Sequence, residues 1–137
     1  MTFPVVLLHI VAVLFAGFGV GFAAVPEQLS ELLFDAAPGS SSATIDMRAT
    51  YGGVAVGLAA FVWLCSERRD WVRPGLLVTT LVLAALALTR LIGIVADGSP
   101  NGFVIAFLVL EIAGALLTHR TYSTTTVSLS MTGGSNA

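Results

Sequence analysis

Four long apolar runs restrict the fold of this chain more than any other feature of its sequence. They cover Phe3–Ala24, Met47–Leu64, Gly75–Val95 and Phe103–Leu117, and residues that interrupt helices separate them. A helix needs about 20 predominantly apolar residues to cross the hydrocarbon core of a bilayer. Charged residues make up only 10% of the 137-residue chain, against roughly 25% in an average soluble domain. The sequence therefore predicts an all-α integral membrane protein built as a bundle of four transmembrane helices.

The distribution of arginine predicts how these helices are oriented. Cytoplasmic loops are enriched in Lys and Arg, whereas acidic residues contribute little to orientation. Arg68, Arg69 and Arg73 lie between the second and third runs, and Arg120 follows the fourth, whereas the first connection is acidic. We therefore expect both termini of the chain to lie in the cytoplasm.

The connection between the first two runs has an amphipathic pattern. Pro26 suits the first position of a helix. The residues after it separate onto two helical faces: Leu29, Leu32 and Leu33 on one, and Glu27, Glu31 and Asp35 on the other. This pattern predicts a short helix that lies on the outer membrane surface and ends before Pro38-Gly39. A solvated linker without regular structure is the alternative.

Residues 121–137 differ in composition from the membrane domain, residues 1–120. They carry no charge, are rich in Ser and Thr, and include a Gly-Gly-Ser sequence, which is typical of a flexible cytoplasmic tail. Within them Val127, Leu129 and Met131 alternate with Ser128 and Ser130. Such alternation is typical of a half-buried strand, so a second interpretation is a strand added to the sheet edge of a partner.

Ionisable side chains within the apolar runs predict a polar cluster inside the membrane. Such groups are costly in hydrocarbon, so each one suggests a function or a specific partner. At 1.5 Å per residue, Arg90 lies about 8 Å and Glu111 about 12 Å below the outer ends of their helices, which predicts an ion pair between them. Arg48 enters from the same side with Tyr51 almost one turn further in, and Asp97 returns to the helical face of Arg90. We expect these five residues to converge, either as a network that fixes helix register or as a ligand site.

The glycines of the chain predict where helices approach each other closely. Small residues four apart are a recurrent packing feature of membrane helices. Gly17-x-x-x-Gly21 and Gly53-x-x-x-Gly57 have this spacing, although the chain contains 14 glycines and the pattern also arises from composition. The predicted packing positions are Gly17, Gly21, Gly52, Gly53, Gly57 and Gly93.

Catalytic and cofactor motifs do not appear in the sequence. His9 and His119 are the only histidines, and their different depths in the bundle argue against a bis-histidine haem. The spacing of the single cysteine and the histidines matches no metal site, and no nucleophile elbow or phosphate loop is present. Glu111 acting as an acid or base is a weaker interpretation, because no second chemical group is placed beside it. We expect neither a cofactor nor a metal, and no enzymatic activity.

Three motifs, R-A-T-Y-G-G-V-A-V-G, R-L-I-G-I-V-A-D-G-S-P and F-L-V-L-E, occur in this order. Together they resemble a bacterial family of small four-helix membrane proteins, domain of unknown function four-three-four-five, allied to the DoxX-like group. The resemblance extends from about Phe3 to Leu117 and implies a multi-pass protein of the bacterial cytoplasmic membrane without an assigned activity. The family's positions in this chain are Arg48, Tyr51, Gly52, Gly53, Gly57, Arg90, Gly93, Asp97, Gly98, Pro100 and Glu111.

The small size of the chain and its lack of catalytic groups indicate a non-catalytic role. We expect an accessory or regulatory subunit that forms a hetero-oligomer with a larger membrane complex of the cell envelope, such as a transporter of lipids or other hydrophobic substrates. The alternative is a membrane protein that binds a lipid or small molecule, with Arg48 and Arg90 holding an anionic group and Glu111 offsetting their charge. Lipids are expected partners in either case, and nucleic acid is not.

Overall fold

A computed structural model describes residues 2–132, with side chains described for residues 2–125. Helices and short connections make up all of this part of the chain, and no strand occurs in it. Four helical stretches are long and apolar enough to cross a membrane: Phe3–Ala24, Ser41–Glu67, Arg69–Asp97 and Gly102–Thr125. The predicted four-helix fold is confirmed, and the chain is a multi-pass membrane protein.

The first and second spans are joined by a short helix. Helix α1 covers Phe3–Ala24 and helix α2 covers Pro26–Phe34. Pro26 disfavours a helical conformation at the residue before it, and Val25 leaves the helical region with φ −131° and ψ 59°. Helix α2 ends at Asp35, which adopts a left-handed conformation with φ 57°. The predicted amphipathic helix is therefore present, with Leu33 buried against the bundle and Leu32 turned outward.

The second span is composite and begins earlier than its apolar run predicts. It consists of helix α3 (Ser41–Met47), a π-helical turn (Arg48–Gly53) and helix α4 (Val54–Glu67). The Ser40 hydroxyl accepts a hydrogen bond of 3.2 Å from the Ala43 amide, which is the usual way for serine to start a helix. Ser41 and Ser42, which follow Pro38-Gly39, therefore lie in the first turn of this span.

A 3-10 turn, Arg69–Trp71, leads into helix α5 (Val72–Asp97), and helix α6 covers Gly102–Thr132. The sequence predicted a boundary at residue 120, but α6 continues beyond it. Its hydroxyl groups donate hydrogen bonds to backbone carbonyls one turn earlier, as from Thr121 to Leu117 (2.8 Å) and from Thr125 to Thr121 (2.8 Å). The Ser and Thr side chains therefore find hydrogen-bond acceptors within the helix itself.

The alternating residues of the tail lie at the end of α6. Residues 127–131 are helical in the isolated chain, whereas their pattern suggested a strand. Pairing with the sheet edge of a partner would require these residues to unwind first, and strand addition stays a prediction. The Gly-Gly-Ser segment of the predicted tail, at 133–135, lies outside the described residues.

The spans pack as two antiparallel pairs, α1 with α4 and α5 with α6, and α5 connects the pairs through α1 and α4. We call the end of the bundle where α1 ends and α6 begins the motif end, and the other the opposite end. The main hydrophobic core lies towards the opposite end. Its buried members are Leu7, Leu8, Val11, Ala12, Val62, Cys65, Val72 and Leu76. Cys65 is thus a small buried residue of this core.

Two glycines allow α1 to approach the π-helical turn. A Cβ atom on Gly52 would lie 2.8 Å from the Ala23 backbone nitrogen, and one on Gly19 would lie 2.8 Å from the Val56 nitrogen. Such distances exclude any larger residue unless the backbone moves. The close contact therefore uses Gly19, which the Gly-x-x-x-Gly pattern missed.

The other predicted packing glycines do not bring two spans together. Gly17 and Gly57 face open space, which corrects their assignment. A Cβ on Gly21 would meet Leu29 of α2 at 2.8 Å, and the nearest atoms to Gly53 and Gly93, at 3.9 Å, belong to their own helical segments. The spacing of four residues identified the correct helices but the wrong faces.

Candidate functional site

Arg90 of α5 and Glu111 of α6 form a bidentate ion pair inside the membrane span. Arg90 Nε donates to Glu111 Oε2 at 3.0 Å, and Nη2 donates to Oε1 at 2.7 Å. The two side chains are 22% and 10% exposed. Paired N–H donors match the two carboxylate oxygens in both distance and direction. The pair that the helix depths predicted is confirmed, and it neutralises both charges.

An aromatic contact shields this pair and connects it to α1. The Arg90 guanidinium carbon lies 5.4 Å from the centre of the Phe107 ring, within the range of a cation–π interaction. Phe107 in turn meets Phe18 of α1 edge to face, with the ring centres 6.2 Å apart. Phe107, a residue of α6 that the sequence did not predict, therefore covers Arg90 and links the ion pair to Phe18 of α1.

Arg48 has a different task from the one predicted. Its Nη1 donates to the carbonyl oxygens of Ala23 and, at 3.2 Å, Ala24. These are the last carbonyls of α1, which have no partner within their own helix and attract a positive charge. Arg48 therefore caps the end of α1, and these hydrogen bonds direct it to backbone oxygens instead of to Glu111.

Tyr51 is part of an aromatic group, not of the ion pair. Its ring centre lies 5.3 Å from that of Phe22 in α1 and 6.2 Å from that of Phe34 in α2. Phe22 and Phe34 are stacked, with their centres 6.1 Å apart. The tyrosine thus joins the π-helical turn to α1 and α2, which explains why an aromatic residue stands beside Gly52 at this point.

Asp97 and Asn101 mark the connection between α5 and α6. Asp97 is exposed at the end of α5, and within the described residues no hydrogen bond or ion pair joins it to Arg90 or Glu111. Asn101 was not predicted: its Nδ2 donates to Leu33 O at 3.0 Å and to Asp35 Oδ2 at 2.6 Å, and its Oδ1 accepts from the Val104 amide at 3.0 Å. Asparagine is among the preferred residues before a first helical turn, and this preference was the available signal.

A second polar group lies at the opposite end, around His9. Its Nε2 is 3.2 Å from both Ser66 Oγ and Glu67 Oε1, and its Nδ1 is 2.9 Å from Val5 O. Because serine and glutamate meet the same ring nitrogen, this is not the arrangement of a catalytic triad, in which the histidine uses one nitrogen for each. His9 instead links α1 to α4. Within the described residues no group of three or more His, Cys, Asp or Glu side chains is placed to hold a metal ion.

Further polar contacts join α5 and α6 between the ion pair and the opposite end of the bundle. Thr80 Oγ1 donates to Thr118 Oγ1 at 2.9 Å. Arg73 lies 5.1 Å from the centre of the Tyr122 ring and donates to its hydroxyl at 3.5 Å. With Arg90–Glu111, these contacts form a ladder from the motif end to the opposite end. The arrangement holds two helices in register.

A family model described as Domain of unknown function (DUF4345) matches residues 5–119. This range includes the second and third spans in full and most of the first and fourth, and it ends shortly before the Ser/Thr-rich part of α6. No curated protein and no solved structure matches the chain.

Proposed function

We propose that this chain, which belongs to the family described as Domain of unknown function (DUF4345), is a non-catalytic accessory or regulatory subunit of a larger membrane complex. The complex would belong to the cell envelope, and a transporter of lipids or other hydrophobic substrates fits best. The family description carries no activity, so the support for this role comes from the contacts of the chain.

The observation that carries the proposal is the bidentate Arg90–Glu111 pair. General acid or base catalysis requires an ionisable group within reach of the substrate. Here Arg90 and Glu111 are paired with each other, and Phe107 covers the arginine. The polar groups therefore act on helix register, as expected for a protein whose task is to present a shaped surface.

The surface of α5 supports docking. Only 11% of the most apolar stretch of Arg69–Asp97 is buried, against 33% in Phe3–Ala24. Leu81 and Leu88, one heptad apart on α5, are 60% and 59% exposed. A larger membrane protein with a complementary helix would cover this face, whereas one face of α1 is already covered by α4 and the π-helical turn.

Orientation and localisation belong to the same proposal. Arg68, Arg69 and Arg120 lie at the opposite end of the bundle, and arginine is retained on the cytoplasmic side. We therefore place the protein in a bacterial cytoplasmic membrane, with both termini in the cytoplasm and the motif end outside.

The alternative, a lipid or small molecule held by Arg48, Arg90 and Glu111, has less support from the geometry. Arg90 would have to leave Glu111 to bind an anion, and the resulting unpaired buried charge is strongly destabilising. Arg48 would have to release the carbonyls of α1. A ligand at this cluster would therefore compete with two structural contacts.

Affinity isolation from the native membrane tests the docking proposal. The tagged chain, extracted in a mild detergent, should carry the same larger membrane proteins in repeated preparations. Leu81→Trp/Leu88→Trp should release them. Val13→Trp/Val20→Trp is the matched control on α1, because its residues are 60% and 58% exposed at the same spacing. A monomer that carries no protein, or an equal loss in both variants, would contradict docking through α5.

A further inference from the structure

A lateral groove of about 450 Å³ lies beside the R-A-T-Y-G-G turn, between α1, the second span and α5. Its apolar walls are formed by Phe15, Phe18, Val54, Leu58, Val82 and Leu86. The groove exists because the second span and α5 pack closely only at the opposite end of the bundle and separate towards the motif end. At the opposite end Val62 and Cys65 meet Leu76 in the main core, whereas nearer the motif end the second span is drawn towards α1 by Gly19 and Gly52.

The groove is reachable from outside the bundle. Val54 is 64% exposed and Tyr51, which also lines it, is 45% exposed. Its volume lies within the roughly 300–1,000 Å³ that is typical of ligand pockets. A flexible hydrocarbon chain from the surrounding bilayer can therefore enter from the side without any movement of the helices.

The mouth of the groove is polar and negative. Asp46 and Thr50, one turn apart, line it together with the apolar walls. The Thr50 hydroxyl donates its hydrogen to the Asp46 backbone oxygen, so that only acceptor capacity remains on the threonine oxygen. Within residues 2–125 the exposed Asp46 carboxylate makes no hydrogen bond and no ion pair.

The apolar walls and the negative mouth together indicate the chemistry of a ligand for this groove. Lipid tails are as apolar as leucine side chains, so hydrocarbon contact alone gives no preference over bulk lipid. Selectivity must come from the mouth, where a carboxylate favours a positively charged hydrogen-bond donor and disfavours an anion. Arg90 does not oppose this preference, because Glu111 neutralises it. Arg48, two residues from Asp46, directs its guanidinium to the last carbonyls of α1 and away from the Asp46 carboxylate.

We propose that the lateral groove binds one acyl chain of an amine-headed phospholipid and that Asp46 holds its ammonium group. This site is separate from the Arg90–Glu111 pair and from the α5 docking face. It does not depend on the proposed accessory role, because an isolated chain in a bilayer would bind the lipid equally.

Native mass spectrometry of the purified full-length chain tests the site. The chain is equilibrated with equal amounts of dioleoyl phosphatidylethanolamine and dioleoyl phosphatidylglycerol, which differ in the headgroup only. We expect one retained phosphatidylethanolamine per chain and a preference over phosphatidylglycerol of about fivefold, which corresponds to about 1 kcal/mol, the upper range for an exposed ion pair. Asp46→Asn should remove the preference, whereas Asp97→Asn, another exposed carboxylate at the motif end, should keep it.

A second pair of variants tests the groove itself. Val54→Trp places a large ring in the exposed wall and should abolish retention of either lipid, whereas Val95→Trp, at a site 86% exposed on α5, should not. Thermal unfolding of each variant should match that of the unmodified chain. Equal retention of both lipids, an unchanged preference in Asp46→Asn, or retention in Val54→Trp would overturn the proposal. So would a photo-crosslinker at Val54 that captures protein instead of phospholipid in native membranes.

Discussion

At the scale of single residues, the charge of Arg90 is stabilised by one carboxylate, and this dependence can be measured. Glu111→Ala would leave a guanidinium 22% exposed without its bidentate partner. Breaking a buried pair by removing one member costs about 3–5 kcal/mol, so we expect a marked fall in the unfolding midpoint in detergent. Circular dichroism during heating or titration with a denaturing detergent provides the measurement.

The double variant Arg90→Met/Glu111→Leu separates a structural pair from a ligand site. Replacing both charges by apolar residues of similar volume is often neutral or stabilising, and it leaves no unpaired group in the bundle. We therefore expect it to recover most of the stability lost in Glu111→Ala. Asp97→Asn is the control at an exposed carboxylate and should change little. A double variant as unstable as the single one would contradict the pair's role as a compensated internal contact.

Arg48 should respond more weakly, because its positive charge acts at an exposed helix end. Removing it in Arg48→Ala leaves the Ala23 and Ala24 carbonyls to water or lipid headgroups. A cation at a helix C-terminus contributes about 0.3–1 kcal/mol at an exposed site, so the loss should be a fraction of that in Glu111→Ala. Arg48→Lys should retain part of it through charge alone. Unfolding of the three variants under one set of detergent conditions would rank them, and a larger loss for Arg48→Ala would refute the capping role.

At the scale of elements, the contact between α1 and the π-helical turn depends on Gly52. A methyl group there would meet the Ala23 backbone nitrogen at 2.8 Å and its Cα at 3.0 Å, and backbone atoms cannot yield as a flexible side chain does. Overpacking of this kind typically costs about 1–3 kcal/mol. We expect Gly52→Ala to lower the unfolding midpoint. Gly17→Ala is the matched control, because its Cβ faces open space and alanine is the better helix former. Equal stability of the two variants would show that this contact yields easily.

The elements also show what a sequence can predict about this protein. Apolar run length predicts the spans, and helix depth predicts the Arg90–Glu111 pair, because both follow from a rise that is constant along a helix. The role of Arg48 was not predictable in this way, since its acceptors lie at the end of α1, where Pro26 stops the helix. The π-helical turn also changes the rotation of the second span about its axis relative to a continuous α-helix. Rotation about the helix axis then decides that Gly19, and not Gly17, meets that span.

At the scale of the whole molecule, the chain consists of two helix pairs with different internal bonding. The α1–α4 pair is held by close backbone approach at Gly19 and Gly52, and by the buried apolar core. The α5–α6 pair is held by its ladder of side-chain contacts: Arg90–Glu111, Thr80–Thr118 and Arg73–Tyr122. Because polar contacts in a membrane fix register, the second pair keeps its shape while most of its apolar surface stays available to lipid or to a partner.

The orientation of this bundle in the membrane can be tested directly. Four spans place the start of α1 and the end of α6 at the opposite end of the bundle, and the arginines at that end assign it to the cytoplasm. Ser42, near the motif end, and Ser123, in α6, are both exposed, whereas the native Cys65 is buried. In intact spheroplasts a membrane-impermeant maleimide should label Ser42→Cys and should reach Ser123→Cys only after permeabilisation. The reverse pattern would invert the proposed topology, place the mouth of the lateral groove at the cytoplasmic leaflet and change which lipids it meets.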